Sequence, residues 1–249
     1  MNGVTLTDAD WFNNVDDRVY EDAFNVKNSP YSATGDGVTD DHVAIQAAIT
    51  DAEAAGGRVF FPLGAYNIGT VGLLCASGNG VILEGATPRF VGASLFGVEF
   101  LYSGTAEAVT FGQSGAINYR NGLNNIQIRA TGGATSSASA IGLKLINSHY
   151  FSSDKAAIKD FSSGIGLQFA PAGAAMFGAS SVFKEFFAHL CQIAVQSIGT
   201  SAIIKDNATT FLGGGVLQSA APAGSIGFDL RQYSDSYRFY AIDCEGYET

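Results

Sequence analysis

The stretch that most limits what this chain can fold into is Gly35-Asp36-Gly37-Val38-Thr39-Asp40-Asp41. It continues through Ala44-Ile45-Gln46-Ala47-Ala48-Ile49 to Gly56-Gly57-Arg58-Val59-Phe60-Phe61-Pro62. It reads as turn, helix, turn, strand. Glycines on both sides of Asp36 permit positive φ, so Gly35-Asp36-Gly37 predicts a tight turn. Thr39 is the expected helix N-cap, with Asp40 and Asp41 complementing the positive end of the helix dipole. His42 stands where a capping box would need Glu or Gln. Ile45, Ala48, Ile49 and Ala52 fall on one narrow apolar face. Gly56-Gly57 ends the helix. Pro62, which cannot donate a ladder hydrogen bond, closes the short apolar run Val59-Phe60-Phe61.

After Tyr66 the texture changes to short apolar runs separated by Gly, Ser, Thr and Asn, such as Val81-Ile82-Leu83, Ala108-Val109-Thr110-Phe111 and Ile126-Gln127-Ile128. Each is too short for a stable helix and is bounded by turn formers, which predicts strands. A repeat then emerges. Ile141-Gly142-Leu143-Lys144-Leu145, Ile165-Gly166-Leu167-Gln168-Phe169, Ile193-Ala194-Val195-Gln196 and Ile226-Gly227-Phe228-Asp229-Leu230 share the order apolar, small, apolar, polar, at intervals of 24, 28 and 33 residues. A second set, Ile158-Lys159-Asp160, Phe183-Lys184-Glu185 and Ile204-Lys205-Asp206, lies between them. Such recurrence is what stacked coils of a solenoid require, because one coil cannot bury its own apolar face. Gly132 to Ser139 is a small-residue loop within this array.

Residues 25–68, with Asn25-Val26-Lys27, the Gly-Asp-Gly turn, the helix, Phe61-Pro62, Gly64 and Tyr66, resemble the opening of the pectate-lyase-like superfamily. More narrowly they resemble the version found in bacteriophage tailspike and depolymerase proteins. The resemblance implies an all-β fold, a right-handed single-stranded parallel β-helix capped at its N-terminal end by one amphipathic α-helix. It divides the chain into a lead segment (1–24), cap helix and first coil (25–68), and further coils (69–249). It also implies a virion tail protein, a homotrimer beside other tail proteins, that binds and depolymerises a bacterial surface polysaccharide. Two other readings stand: a non-catalytic virion fibre or receptor-binding module, and a cellular polysaccharide lyase or hydrolase. The family's calcium and arginine motifs have no counterpart here, so the resemblance names no catalytic residue and no cofactor.

Composition sets bounds. Hydrophobic residues at 47% against 14% charged exclude a disordered chain. A net charge of −10 argues against nucleic acid, and an anionic polysaccharide would need a local basic patch. Cys75, Cys191 and Cys244 have no CxxC spacing and read as small apolar fillers, without a disulfide framework or metal site. His42, His149 and His189 show no ligand spacing and read as cap, turn or core residues. Met1-Asn2-Gly3-Val4 carries no signal-peptide pattern, and no segment is long and apolar enough to enter a membrane, so assembly in a host cytoplasm and release in a virion is the expected route. No terminal cap is visible after Tyr237-Arg238-Phe239-Tyr240-Ala241-Ile242-Asp243-Cys244-Glu245, which reads as one more strand. A fragment, or an end covered by partner chains, is the expectation.

Glycosidic hydrolysis needs two carboxyl groups, about 5–9.5 Å apart depending on stereochemistry. Equivalent positions on adjacent coils sit about 4.8 Å apart, and i, i+2 on one strand about 6.6 Å. Asp160, Glu185 and Asp206 could stack as an acidic row, and Asp243 and Glu245 share one face of their strand. Glu185, Asp206, Asp243 and Glu245 are therefore the catalytic candidates. The competing reading has Lys159, Lys184 and Lys205 neutralising turn carboxylates. Tyr233, Tyr237, Arg238 and Tyr240, near Phe239, Tyr247 and Arg231, are the candidates for stacking on sugar rings.

Overall fold

The computed structural model describes residues 23–246 apart from 77–79, 87–88, 92–93, 173–176, 199–204, 218–223, 232–233 and 236, and only the backbone of 89–91, 94–96, 177–179, 205–207 and 234–235. Of the expected lead segment, only Ala23 and Phe24 are therefore described. The chain winds as a parallel β-solenoid of about six turns.

Its longest sheet has two limbs. The first stacks Ala23–Asn25, Arg58–Phe61, Ile82–Gly85, Gly122–Asn124 and Ser152–Asp154, then the leading half of Val182–His189 and of Thr210–Leu217, then Arg238–Tyr240. The second limb stacks Asp36–Asp40, Gly64–Asn67, Val98–Tyr102, Ile126–Ala130 and Ala157–Lys159, the trailing halves of the same two long strands, and Asp243–Glu245. A second sheet runs from Leu73–Cys75 through Glu107–Phe111, Ile141–Leu145, Ile165–Phe169 and Ile193–Ser197 to Ile226–Leu230. A third holds Asn118–Tyr119, Ser148–His149, Phe177–Ala179, Lys205–Asn207 and Ser234–Asp235. Arg89–Val91 and Ser94–Phe96 form an antiparallel pair inserted in the second turn.

The isoleucine repeat behaves as expected: Ile141, Ile165, Ile193 and Ile226 are consecutive partners in the second sheet. The other repeat does not. Ile158-Lys159 pairs with Ala188-His189, whereas Phe183-Lys184 pairs with Ser153-Asp154 and Lys205-Asp206 lies in the third sheet beside Phe177-Gly178. Asp160, Glu185 and Asp206 therefore form no acidic row. The similar tripeptides come from different sides of the coil, because Val182–His189 spans both limbs and carries a Lys on one and a His on the other.

Corners are made by single residues in the left-handed region, repeated from turn to turn. Between the limbs these are Asn125, Lys155, Glu185, Gly213 and Ala241, with φ of 55°, 52°, 47°, 74° and 53°. Ala241 thus splits the strand expected over 237–245 into Arg238–Tyr240 and Asp243–Glu245. Between the third sheet and the first limb they are Gly80, Arg120, Tyr150, Ser180 and Ala208. One left-handed residue reverses the local bend at a cost of about 1–2 kcal/mol when it is not Gly, so the stacked pairing on both sides must hold it.

The helix, α1, spans His42–Ala55 and closes the N-terminal end, packing against Ala23–Asn25, Arg58–Phe61 and Leu73–Cys75. Ile45, Ala48, Ile49 and Ala52 are buried, as the spacing predicts, and Gly56 ends it at φ 69°. Burying Ile45 and Ile49 contributes on the order of 2 kcal/mol each. Its N-cap is Asp41, not Thr39. Thr39 lies in the strand Asp36–Asp40 and its hydroxyl donates to Asp36, while the Asp41 carboxylate accepts from the Thr34 and Gly35 amides at 2.6 and 2.9 Å. The turn therefore outcompetes the helix for both side chains. Gly132–Thr135, expected as loop, is a 3-10 turn that buries Ala134.

Aromatic rings fill the later coils. Phe183, Phe211 and Phe239 occupy equivalent positions and stack at 4.9 and 5.4 Å with interplanar angles of 15° and 10°. Cys75 and Cys191 are buried fillers, and Cys244 is exposed on the last described coil.

Candidate functional site

Alternation along the second limb sends Phe100, Ile128, Ile158, Ala188 and Val216 inward and leaves two outward columns. One runs Glu99, Gln127, Ala157, Phe187, Gly215, Asp243; the other Leu101, Arg129, Lys159, His189, Leu217, Glu245. Three consecutive coils thus present Arg129, Lys159 and His189 at equivalent positions, about 4.8 Å from one coil to the next.

These groups differ in how far their chemistry is already committed. Arg129 is ion-paired with Glu99, Nη2 donating to Oε2 at 3.0 Å while Nε lies 2.9 Å from Oε1 without a hydrogen bond. Gln127 Nε2 also donates to Glu99 Oε1. That carboxylate is spent. Lys159 is half-buried and its ammonium has no hydrogen bond or ion pair among the described residues. His189 is half-buried, and its Nδ1 lacks a hydrogen-bond partner among the described residues. Burial first, and then the Lys159 charge, lower the His189 pKa, against the pull of Asp160. Asp160 itself follows Lys159 at φ 67°, and its amide donates to the His189 carbonyl at 3.0 Å. An imidazole held neutral is a proton acceptor, and an ammonium one coil away can fix an anionic group. Together they suit abstraction of a proton beside a carboxylate, or anion binding alone.

The sequence candidates are dispersed around the coil. Glu185 is exposed at the corner between the limbs. Asp206 lies in the third sheet, opposite Gly178 and Ser234, with its side chain outside the described residues. Asp243 and Glu245 share the outward face of the last described coil, and Glu245 stands two coils beyond His189, about 10 Å away by ladder spacing. Arg238 and Tyr240 are exposed on the first limb, in register with Thr210 and Leu212. Tyr237 turns inward, its ring 5.8 Å from Phe169 and 6.3 Å from Phe239. Tyr233 and Tyr247 lie outside the described residues. Arg129 and Glu99 are not among the sequence candidates, and Lys159 and His189 enter there only in neutralising and structural roles. The available signal was the common interval of 30 residues between Glu99 and Arg129, and again from Arg129 to Lys159 to His189.

A cavity lies where α1 meets the second sheet, lined by His42, Gln46, Val71, Leu74, Glu107 and Thr110 among others. Three of its polar side chains already have partners: His42 Nε2 is 2.8 Å from the Gly72 carbonyl, Gln46 bonds the Leu74 backbone, and Glu107 accepts from Lys144 at 2.6 Å. It reads as the seam of the cap. Among the described residues no group of three His, Cys, Asp or Glu side chains is placed to hold a metal ion, and no helix is long and apolar enough to cross a membrane.

Comparison with known proteins agrees with this architecture. The family described as rhamnogalacturonase A/epimerase, pectate lyase-like, matches residues 23–137. Over 50 residues the chain is 54% identical to mannuronan C5-epimerase AlgE6 of Azotobacter vinelandii, a match covering 20% of this chain and 6% of that protein. ORF18 of Geobacillus virus E2 is similar in structure with a TM-score of 0.56 and 19% identity, over 98% of this chain and 52% of its own. Pre-mature gene product 12 of bacteriophage phi29 is similar with a TM-score of 0.60 and 17% identity, over 96% of this chain and 34% of its own. The chain thus spans about half the length of the first viral protein and about a third of the second. The chain is a parallel β-helix whose residues 23–137 match a pectate lyase-like family, and it shares that fold with proteins of bacterial viruses and with polysaccharide-active enzymes.

Proposed function

We propose that this β-helix is part of a phage tail appendage that binds an acidic bacterial surface polysaccharide along the second limb and cleaves it by proton abstraction beside a uronate. The observation that carries the reading is the Lys159–His189 pair, an uncommitted ammonium one coil from an imidazole held neutral, on the outward face of a chain whose net charge is −10. Lys159 fixes the substrate carboxylate and lowers the cost of carbanion character beside it, and His189 takes the proton; the electron pair left on that carbon forms a carbon–carbon double bond as the glycosidic C–O bond at the β carbon breaks, and the leaving oxygen takes a proton from water. Arg129, locked by Glu99, holds the edge of the site rigid. The likeness to a mannuronan epimerase supports a uronate polymer, and the likeness to two viral proteins supports the appendage. A homotrimer beside other tail proteins belongs to the same proposal.

The test is incubation with capsular and O-antigen polysaccharides of candidate hosts, following reducing ends together with the absorbance of unsaturated uronate. Both signals should rise together, and the rate should fall as pH drops below the depressed pKa of His189. Reducing ends without the chromophore would assign hydrolysis and sink this mechanism. A second reading, a binding-only fibre module, is favoured by the dispersal of Glu185, Asp206 and the Asp243/Glu245 pair. Tight polysaccharide binding with neither signal would select it.

A further inference from the structure

We propose that Tyr119, Arg120 and Tyr150 form a second saccharide site, at the corner between the third sheet and the first limb, which takes a pyranose ring bearing an anionic substituent. It rests on the reading of the protein as a binder of acidic polysaccharide, but on different residues and a different face. Tyr119 and His149 are partners in the third sheet, and Arg120 and Tyr150 are the left-handed corner residues that follow them, at φ 58° and 57°. The three rings touch edge to face, Tyr119 to His149 at 5.5 Å and His149 to Tyr150 at 6.4 Å. His149 is buried between two exposed tyrosines, with Tyr119 44% and Tyr150 57% accessible.

The choice of residues here is not explained by packing. The corner position imposes a left-handed backbone, which bulky side chains resist, and other turns fill it with Gly80, Ser180 and Ala208. Two adjacent turns instead place Arg and Tyr there and leave both side chains exposed. Because the next turns carry Ser180 and Ala208, no bulky side chain in that column covers the flank of Tyr150. Arg120 has no ion pair among the described residues. The platform is also pre-positioned: Asn147 bonds the Gln113 carbonyl and both backbone groups of Ala172, and Asn118 bonds the Ala116 and Ile146 carbonyls, fixing the strands that carry the rings. Two amphipathic ring faces and a free guanidinium match a sugar ring with a carboxylate or sulfate, and little ordering entropy is lost on binding.

Chain labelled with 13C on tyrosine rings should be titrated with alginate and polygalacturonate hexasaccharides and with maltohexaose, in wild type and in Tyr150→Ala, Tyr150→Phe, Arg120→Gln and Lys159→Ala. The Tyr119 and Tyr150 ring signals should shift with at least one acidic hexasaccharide. That affinity, read from the Tyr119 and Tyr150 signals, should fall at least tenfold in Tyr150→Ala and Arg120→Gln and survive in Tyr150→Phe. A response to maltohexaose of equal strength would overturn the anionic specificity. Unmoved ring signals with all three probes at millimolar concentration would overturn the site. A ring-signal affinity that fell in Lys159→Ala but held in Tyr150→Ala and Arg120→Gln would leave the main reading standing and overturn this one.

Discussion

At the scale of single residues, the molecule separates groups that hold the coil from groups left available. Phe183 belongs to the first kind. It is fully buried, meets Phe151, Phe169, Phe186 and Phe211, and sits mid-stack. Phe183→Ala should therefore cost about 3–5 kcal/mol, the range for deleting a buried aromatic ring, read as a lowered denaturant midpoint with unchanged slope. A loss under about 1 kcal/mol would mean that the stack is loosely packed. Lys159 and His189 are of the second kind, and they show why the site was hard to read. A Lys beside an Asp looks like a neutralised turn, and a lone His looks like a core residue. The pairing of Lys159 with His189 across coils sets the ammonium beside the imidazole, which sequence adjacency does not show.

At the scale of elements, α1 does more than plug an end. Gln46 donates to the Leu74 carbonyl at 2.8 Å and accepts from its amide at 3.0 Å, so its side chain stands in for a neighbouring strand at the edge of the second sheet. Gln46→Ala should cost about 0.5–1.5 kcal/mol, the net worth of a hydrogen bond whose freed groups water can reach, and speed amide exchange at Leu74. Unchanged exchange there would refute the edge-capping role. On the same sheet, burial alone would raise the Glu107 carboxyl, but the hydrogen bond and charge of Lys144 outweigh it and lower its pKa. Asp229 is likewise lowered, burial being outweighed by Arg231 and Gln196. Depressed carboxyl values stabilise the fold above the unfolded pKa, and that contribution is lost as pH falls through the folded value. The acid limb of the stability profile should thus flatten in a Glu107→Gln, Asp229→Asn variant, and an unaltered limb would count against these contacts. Here the sequence was most legible. The isoleucine positions announced the second sheet in its true register, because each begins a strand after a turn of variable length. The Lys-acid tripeptides misled, because strands that run through a corner put similar tripeptides on different sides of the coil.

At the scale of the whole molecule, the solenoid converts sequence intervals into columns, so function depends on what recurs at one coil's length. The architecture is legible in the cap motif and the strand texture alone. The outward columns were not legible, since inserted loops vary the interval elsewhere and only known pairing shows which residues share a face. In the proposed mechanism the second limb, rather than the dispersed carboxylates, is the working surface. The most direct measurement is the kcat/KM for depolymerisation of one cleaved acidic polysaccharide by Lys159→Ala and His189→Ala beside Asp243→Asn and Glu245→Gln, all checked for unchanged folding. A loss of at least about a hundredfold, the lower range for removing a positioned acid-base group, is expected in the first pair and little change in the second. Full activity in the Lys159 and His189 variants, with loss in either carboxylate variant, would contradict it.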